Sequence, residues 1–130
     1  MPESPVHEIA AGGVRFLVDY RRSGGDQGPS VRAYADVEGR PVQLLRFDCF
    51  DQDPHYHYDP EGQDDHRKLD PQEVPDPVAW TLAQLAGNLV SMVRTAGYDQ
   101  VAEQIDAEAV EEAISQIESA IREAEASAAR

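Results

Sequence analysis

The chain has 130 residues, with 25 Asp and Glu against 11 Lys and Arg, and a formal net charge of −14. Its length favours a single domain over residues 1–130, and a hydrophobic fraction of 41% indicates that it folds. The acidic excess repels phosphate backbones, which disfavours nucleic-acid binding. A cation or a basic protein surface suits the charge better.

The sequence also indicates the cellular compartment in which the protein is expected. No apolar run approaches the roughly 18 residues that cross a bilayer, and residues 1–5 lack the basic and apolar regions of a signal peptide. We therefore expect a cytoplasmic protein that does not bind membranes. Cys49 is the single cysteine, which excludes an intrachain disulfide and a thiolate zinc cluster and fits a reducing compartment.

The first half of the chain, residues 5–58, predicts an antiparallel β-meander of four or five strands. In its clearest segments apolar and polar residues alternate with the period of half-buried strands. Residues 23–29, which are rich in glycine, predict a flexible hairpin loop, and Gly39 predicts a tight turn. The predicted strands are residues 14–21, 31–37, 41–50 and 55–58, with residues 6–10 as a further edge.

Residues 59–76 form an acidic segment between the two halves. They contain prolines and many carboxylates, but Leu69 and Val74 are their only large apolar side chains. A structureless connection of this length is uncommon in a compact domain, and repulsion among its acids favours an extended state. We therefore predict a loop and expect it to be the most mobile internal segment.

The last part of the chain, residues 77–130, predicts two or three helices, so the fold class is α+β. Asp76 followed by proline is an N-cap signal, and Gly97 ends the first helix. Between them, apolar residues recur at spacings of three and four from Val78 to Val93. A short helix over residues 98–105 and a last helix capped by Asp106 follow.

The last predicted helix has a heptad seam, which consists of Val110, Ile114, Ile117, Ile121, Ala124 and Ala128. The seam can pack on the chain's own sheet or on a partner, and the other faces carry Glu, Gln and Ser. An isolated helix of this length is marginal in water, so something should cover it. We favour a protein-interaction or accessory role, in which this helix and the acidic surface contact a protein partner or a second copy.

A histidine-rich stretch after the third predicted strand is the strongest candidate for chemistry. In a strand, His55 and His57 would project from one face about 7 Å apart, a spacing at which two imidazoles can hold one metal ion. With carboxylates they suit a mixed nitrogen and oxygen shell for Zn, Mn or Fe, so a metal-binding module or metal-dependent enzyme is the alternative function. The same histidines can instead lie on a solvated strand edge, hydrogen-bonded to acids. The candidate ligands are His55, His57, Asp48, Asp53, Glu61 and His66.

A row of polar side chains is predicted on one face of the sheet. Its members are Asp19, Arg32, Arg46 and Asp48, with Tyr34 nearby. Such a row can bind a small anion or carboxylate, but cross-strand ion pairs on an exposed sheet have the same sequence pattern. No phosphate loop, dinucleotide fingerprint or nucleophile motif accompanies it, so an enzyme is the less favoured class.

Two short runs carry a resemblance to known families. LRFD at residues 45–48 and PHYHY at residues 54–58, ahead of a helix, look like a small bacterial domain family of unknown function. More distantly the pattern is similar to TumE-type toxin proteins, in which a strand ending in Arg-aromatic-Asp precedes a histidine-rich loop. The resemblance spans residues 31–90, and a TumE-like role implies action on RNA. No functional residue is carried over from it.

Overall fold

A computed structural model describes residues 6–129 and shows an antiparallel six-stranded sheet followed by five helices. Residues 1–5, on which the expectation of no signal peptide rests, and residue 130 lie outside the described residues. The strands are β1 His7–Ala11, β2 Val14–Ser23, β3 Asp26–Val37, β4 Arg40–Asp48, β5 His55–Tyr58 and β6 Asp65–Lys68. The helices are α1 Pro77–Gly87, α2 Leu89–Thr95, α3 Asp99–Gln104, α4 Ala107–Glu112 and α5 Ile114–Ala129. The predicted α+β meander is confirmed, with more strands and more helices than expected.

The strands follow one another across the sheet in chain order. The flexible loop predicted over residues 23–29 is wrong in extent, because the turn consists of Gly24 and Gly25, both with positive φ, and β3 begins directly after them. Gly28 has a different role. A Cβ there would collide with the carbonyl oxygen of Cys49, so glycine at this position permits close packing of two backbones.

The acidic segment over residues 59–76 contains β6, so it is only partly a loop. All four side chains of β6 are polar, and the strand therefore lacks the apolar alternation that would have predicted it. Pairing with β5 nevertheless places His66 opposite His57 and Lys68 opposite His55. The sheet thus extends one strand further than the hydrophobic pattern indicates.

The helices cover one face of the sheet and form the core with it. The fully buried side chains on this face include Phe16, Val18, Val31, Leu45 and Phe47. α5 lies against β2 and β3. The seam residues Val110, Ile117, Ile121 and Ala124 are buried in this core, and Ile114 packs against it. The chain's own sheet therefore covers most of the seam, and the outer faces of the helix remain exposed.

The helices capped by Asp76 and Asp106 begin where predicted, but each is divided in two, and the last predicted helix consists of α4 and α5, separated at Ala113. The Asp76 side chain accepts from the Ala79 N–H at 3.0 Å, and Asp106 caps α4 in the same way. The helix predicted from Val78 to Val93 is two helices, α1 and α2, separated at Asn88, and Gly87 before it has low helix propensity. Across residues 6–129, no helix is long and apolar enough to cross a membrane.

Candidate functional site on the open face of the sheet

The face of the sheet opposite the helices, here called the open face, carries polar side chains in two cross-strand rows. Residues of one row stand opposite one another because the register is unbroken between them; the register shift of the β3–β4 pair lies beyond these rows, between Ala33 and Tyr34. The first row, from β3 to β6, is Arg32, Arg46, His57 and His66. The second row, from β2 to β6, is Asp19, Ser30, Asp48, His55 and Lys68. The predicted polar row over Asp19, Arg32, Arg46 and Asp48 therefore does share one face.

Asp48 is the centre of this face, and it is 1% exposed. Its Oδ1 accepts from the Ser30 hydroxyl at 2.9 Å and from Arg21 at 3.3 Å. Its Oδ2 accepts from Arg46 Nε at 3.1 Å and from His55 Nε2 at 3.0 Å. Burial alone would raise the pKa of Asp48, but the hydrogen bond from His55 and the charge of Arg46 hold it well below its ordinary value. Asp48 is therefore ionised and orients the side chains around it.

His55 lies between two acceptors. Its Nδ1 is 2.8 Å from the Asp53 carbonyl oxygen, and its Nε2 faces Asp48. A carbonyl and an ionised carboxylate only accept, so both ring nitrogens donate and the ring is an imidazolium. The hydrogen bond to Asp48 accordingly raises the pKa of His55.

His57 is in the opposite protonation state. Its Nδ1 is 2.6 Å from Asp64 Oδ1, and its Nε2 is 2.9 Å from an Arg46 guanidinium nitrogen. Since a guanidinium only donates, Nε2 accepts and Nδ1 donates to Asp64. Burial lowers the pKa of His57, which agrees with a neutral ring.

His55, His57 and His66 form a compact group of three imidazoles, here called the histidine cluster. The ring centroids are 5.1 Å apart for His55 and His57, 4.6 Å for His55 and His66, and 4.8 Å for His57 and His66. One ligand nitrogen from each ring lies within 4.8 Å of the other two. The side chains of His55 and His57 are 12% and 9% exposed, whereas His66 is exposed on β6.

The remaining candidate ligands differ in their positions. Asp48 lies against the histidine cluster. Asp53 turns its backbone carbonyl toward His55, while its carboxylate is about half exposed. Glu61 is directed elsewhere, since its carboxylate accepts from the backbone N–H of Gln43 at 3.2 Å. The structure thus brings together four of the six predicted ligands.

Sequence reasoning did not assign Arg21, Ser30 or Asp64 to this site. Alternation along the strand predicted over residues 14–21 places Arg21 on the open face, so that signal was present. Ser30 lies just before the strand predicted over residues 31–37 and is part of the sheet because β3 begins earlier, at Asp26. Asp64 depends on the turn before β6, in which its N–H donates to the Asp59 carbonyl at 2.7 Å and both residues have positive φ. No local sequence pattern predicts such a turn between two polar strands.

Comparison with known families places this site in a recognised domain. The model of a family described as a domain of unknown function (DUF7700) matches residues 8–121, a range that includes the whole open face. No curated protein and no solved structure matches the chain. The relation to TumE-type toxins stays a prediction.

Proposed function

We propose that this chain, which belongs to the DUF7700 family of domains of unknown function, binds a divalent metal ion through the histidine cluster and Asp48. The direction of the ring nitrogens carries this proposal. Nδ1 of His55 bonds to a backbone carbonyl and Nδ1 of His57 to Asp64, so both Nε2 atoms face Asp48 Oδ2, at 3.0 and 3.8 Å. Metal-ligating histidines usually donate their second ring N–H to such an oxygen.

Three imidazole nitrogens and one carboxylate are a donor set for Zn, Mn or Fe. Cys49 takes no part, because its thiol is buried in the core against Thr81. To bind an ion, His55 would give up its Nε2 proton and His57 would release Arg46. Arg46 keeps its hydrogen bond to Asp48, so the carboxylate stays oriented when the ion binds.

Elemental analysis of protein purified without a histidine tag tests this proposal, followed by calorimetric titration with zinc and manganese. We expect stoichiometric metal in the wild type and its loss in the variant that combines His55→Ala with His57→Ala. His7→Ala is the matched control, because His7 lies on β1 at the other edge of the sheet. Unchanged affinity in the double variant would remove the site.

A protein-interaction role is our second proposal, and the acidic outer faces of α4 and α5 support it. Exposed acids on these faces are Glu108, Glu111, Glu112 and Glu118. Arg122, the single basic residue of the two helices, is within ion-pair distance of Glu118 and Glu125. Because the sheet covers most of the seam, a partner would meet the acidic faces, and a basic surface fits them.

Sedimentation velocity at low and high salt tests this second role. Self-association would bring like-charged helix faces together, so added salt should strengthen it. A complex with a basic partner should weaken under the same change. A monomer at all salt and micromolar protein concentrations would rule out the homo-oligomer.

A further inference from the structure

Arg32 and Arg46 stand directly opposite each other in the β3–β4 register, on the open face. Like charges in this position destabilise a strand pair. Both side chains keep access to solvent, with 27% and 24% exposed. The two side chains therefore start from facing positions on the open face, and a ligand in solution can reach both.

The carboxylates nearby do not saturate these arginines, although the Arg46 guanidinium also donates to His57 Nε2 at 2.9 Å. Asp19 Oδ2 accepts from Arg32 at 3.2 Å, and within residues 6–129 this is the only hydrogen bond of the Arg32 guanidinium. Asp48 is shared, since it already accepts from Arg21, Arg46 and His55. Four cationic groups thus meet two carboxylates on this part of the sheet, although the whole chain has a charge of −14.

From this geometry we infer that Arg32 and Arg46 bind the oxyanion of a small ligand, a phosphate or a carboxylate group. A guanidinium presents a planar fork of N–H donors that matches both anions, and two forks can hold one anion from two sides. Leu17 faces Arg32 across the β2–β3 pair and is half-buried, so it offers apolar contact to the rest of an organic ligand. This site does not require the metal ion proposed above.

The net charge of the chain does not prevent anion binding at this position. At physiological ionic strength the Debye length is about 8 Å, so more distant exposed acids are largely screened. Acids are concentrated in the segment over residues 59–76 and on α4 and α5, and of the acids in that segment Asp64 reaches the open face, where it pairs with His57. The potential that the ligand meets is therefore set mainly by the side chains of the open face.

NMR titrations test the inference. The full, EDTA-treated chain is titrated with inorganic phosphate and, separately, with malonate, while the chemical shifts of its amides are followed. We expect saturable shifts in β3 and β4. Arg32→Gln should weaken binding at least tenfold, and Arg32→Lys, which keeps the charge but loses the fork, should weaken it less. Arg15→Gln is the matched control, because Arg15 also lies on the open face and pairs with one aspartate, Asp36, at 3.0 Å. We expect it to stay within twofold of the wild type.

The outcomes separate the anion site from general charge attraction. Equal weakening by Arg15→Gln and Arg32→Gln, or shifts that do not saturate, would overturn the inference. Tighter binding of phosphate or of malonate supports it and identifies the ligand class. If Arg32→Gln does not fold, Arg32→Lys decides, with its circular dichroism as the check. Since EDTA treatment removes metal ions from the sample, the result is independent of the metal proposal.

Discussion

Replacement of Asp48 by Asn tests whether the open face is organised around one buried charge. Asparagine keeps the shape of the side chain but has one acceptor oxygen in place of two. Its amide group would then point at one pair of donors, either Ser30 with Arg21 or Arg46 with His55. In either orientation the amide N–H group of asparagine faces other hydrogen-bond donors, and the negative charge that compensates the nearby cations is lost.

The expected loss of unfolding free energy is about 3 kcal/mol. Breaking a buried ion pair by removing one partner costs about 3–5 kcal/mol when both groups are desolvated. The side chains of Arg46 and His55 are 24% and 12% exposed, so water recovers part of this cost. In a domain of this size 1 kcal/mol corresponds to about 3–5 °C, and we therefore expect the melting temperature to fall by about 10–15 °C.

Urea unfolding of the wild type and the variant measures this difference. Asp36→Asn is the control, because Asp36 pairs with Arg15 but its side chain is 63% exposed. That exposed pair should contribute no more than about 0.5 kcal/mol. A loss below about 1 kcal/mol for Asp48→Asn, or equal losses in both variants, would refute the reasoning.

Tyr98→Phe should lower stability by about 1 kcal/mol in urea unfolding, because the Tyr98 hydroxyl donates to Asp59 at 2.6 Å; an unchanged midpoint would contradict this. Burial raises the pKa of Cys49 to about 12, so iodoacetamide should alkylate the native thiol at least tenfold more slowly than the unfolded one, and similar rates would argue against a buried thiol. In the isolated protein, amide hydrogens in residues 59–76 should exchange faster than those in α1, and exchange as slow as in α1 would contradict the predicted mobility.

The strands could be predicted where burial of one face imposes an alternation of apolar and polar residues on the sequence. Strands β2 to β4 alternate apolar and polar residues because one face packs on helices, and that alternation also assigned Arg32 and Arg46 to the other face. β6 has no apolar side chains to bury, so no alternation in the sequence indicated its pairing with β5. The break at Asn88 was missed because the apolar spacing continues through it, while the low helix propensity of Gly87 acts only locally.

The candidate site was predictable as a group of residues but not as an arrangement. His55 and His57 could be placed on one face by alternation alone. His66 joined the candidates only because it is near in the sequence, and the β5–β6 register is what brings it to His57. Glu61 is closer to His57 in the sequence than His66 is, yet its chain position after Tyr58 directs it to Gln43. Distance along the chain cannot distinguish these two cases, because turn geometry decides them.

Gly28 lies so close to the Cys49 carbonyl that a mutation at position 28 should affect the site, although glycine itself has no side chain. Cys49 follows Asp48 directly, so any side chain at position 28 pushes the end of β4 away from β3. Such a shift would draw the Asp48 carboxylate away from Ser30, which lies two residues along the strand from Gly28. A substitution here would therefore look like a loss of function in a genetic screen, although no atom of residue 28 belongs to the site.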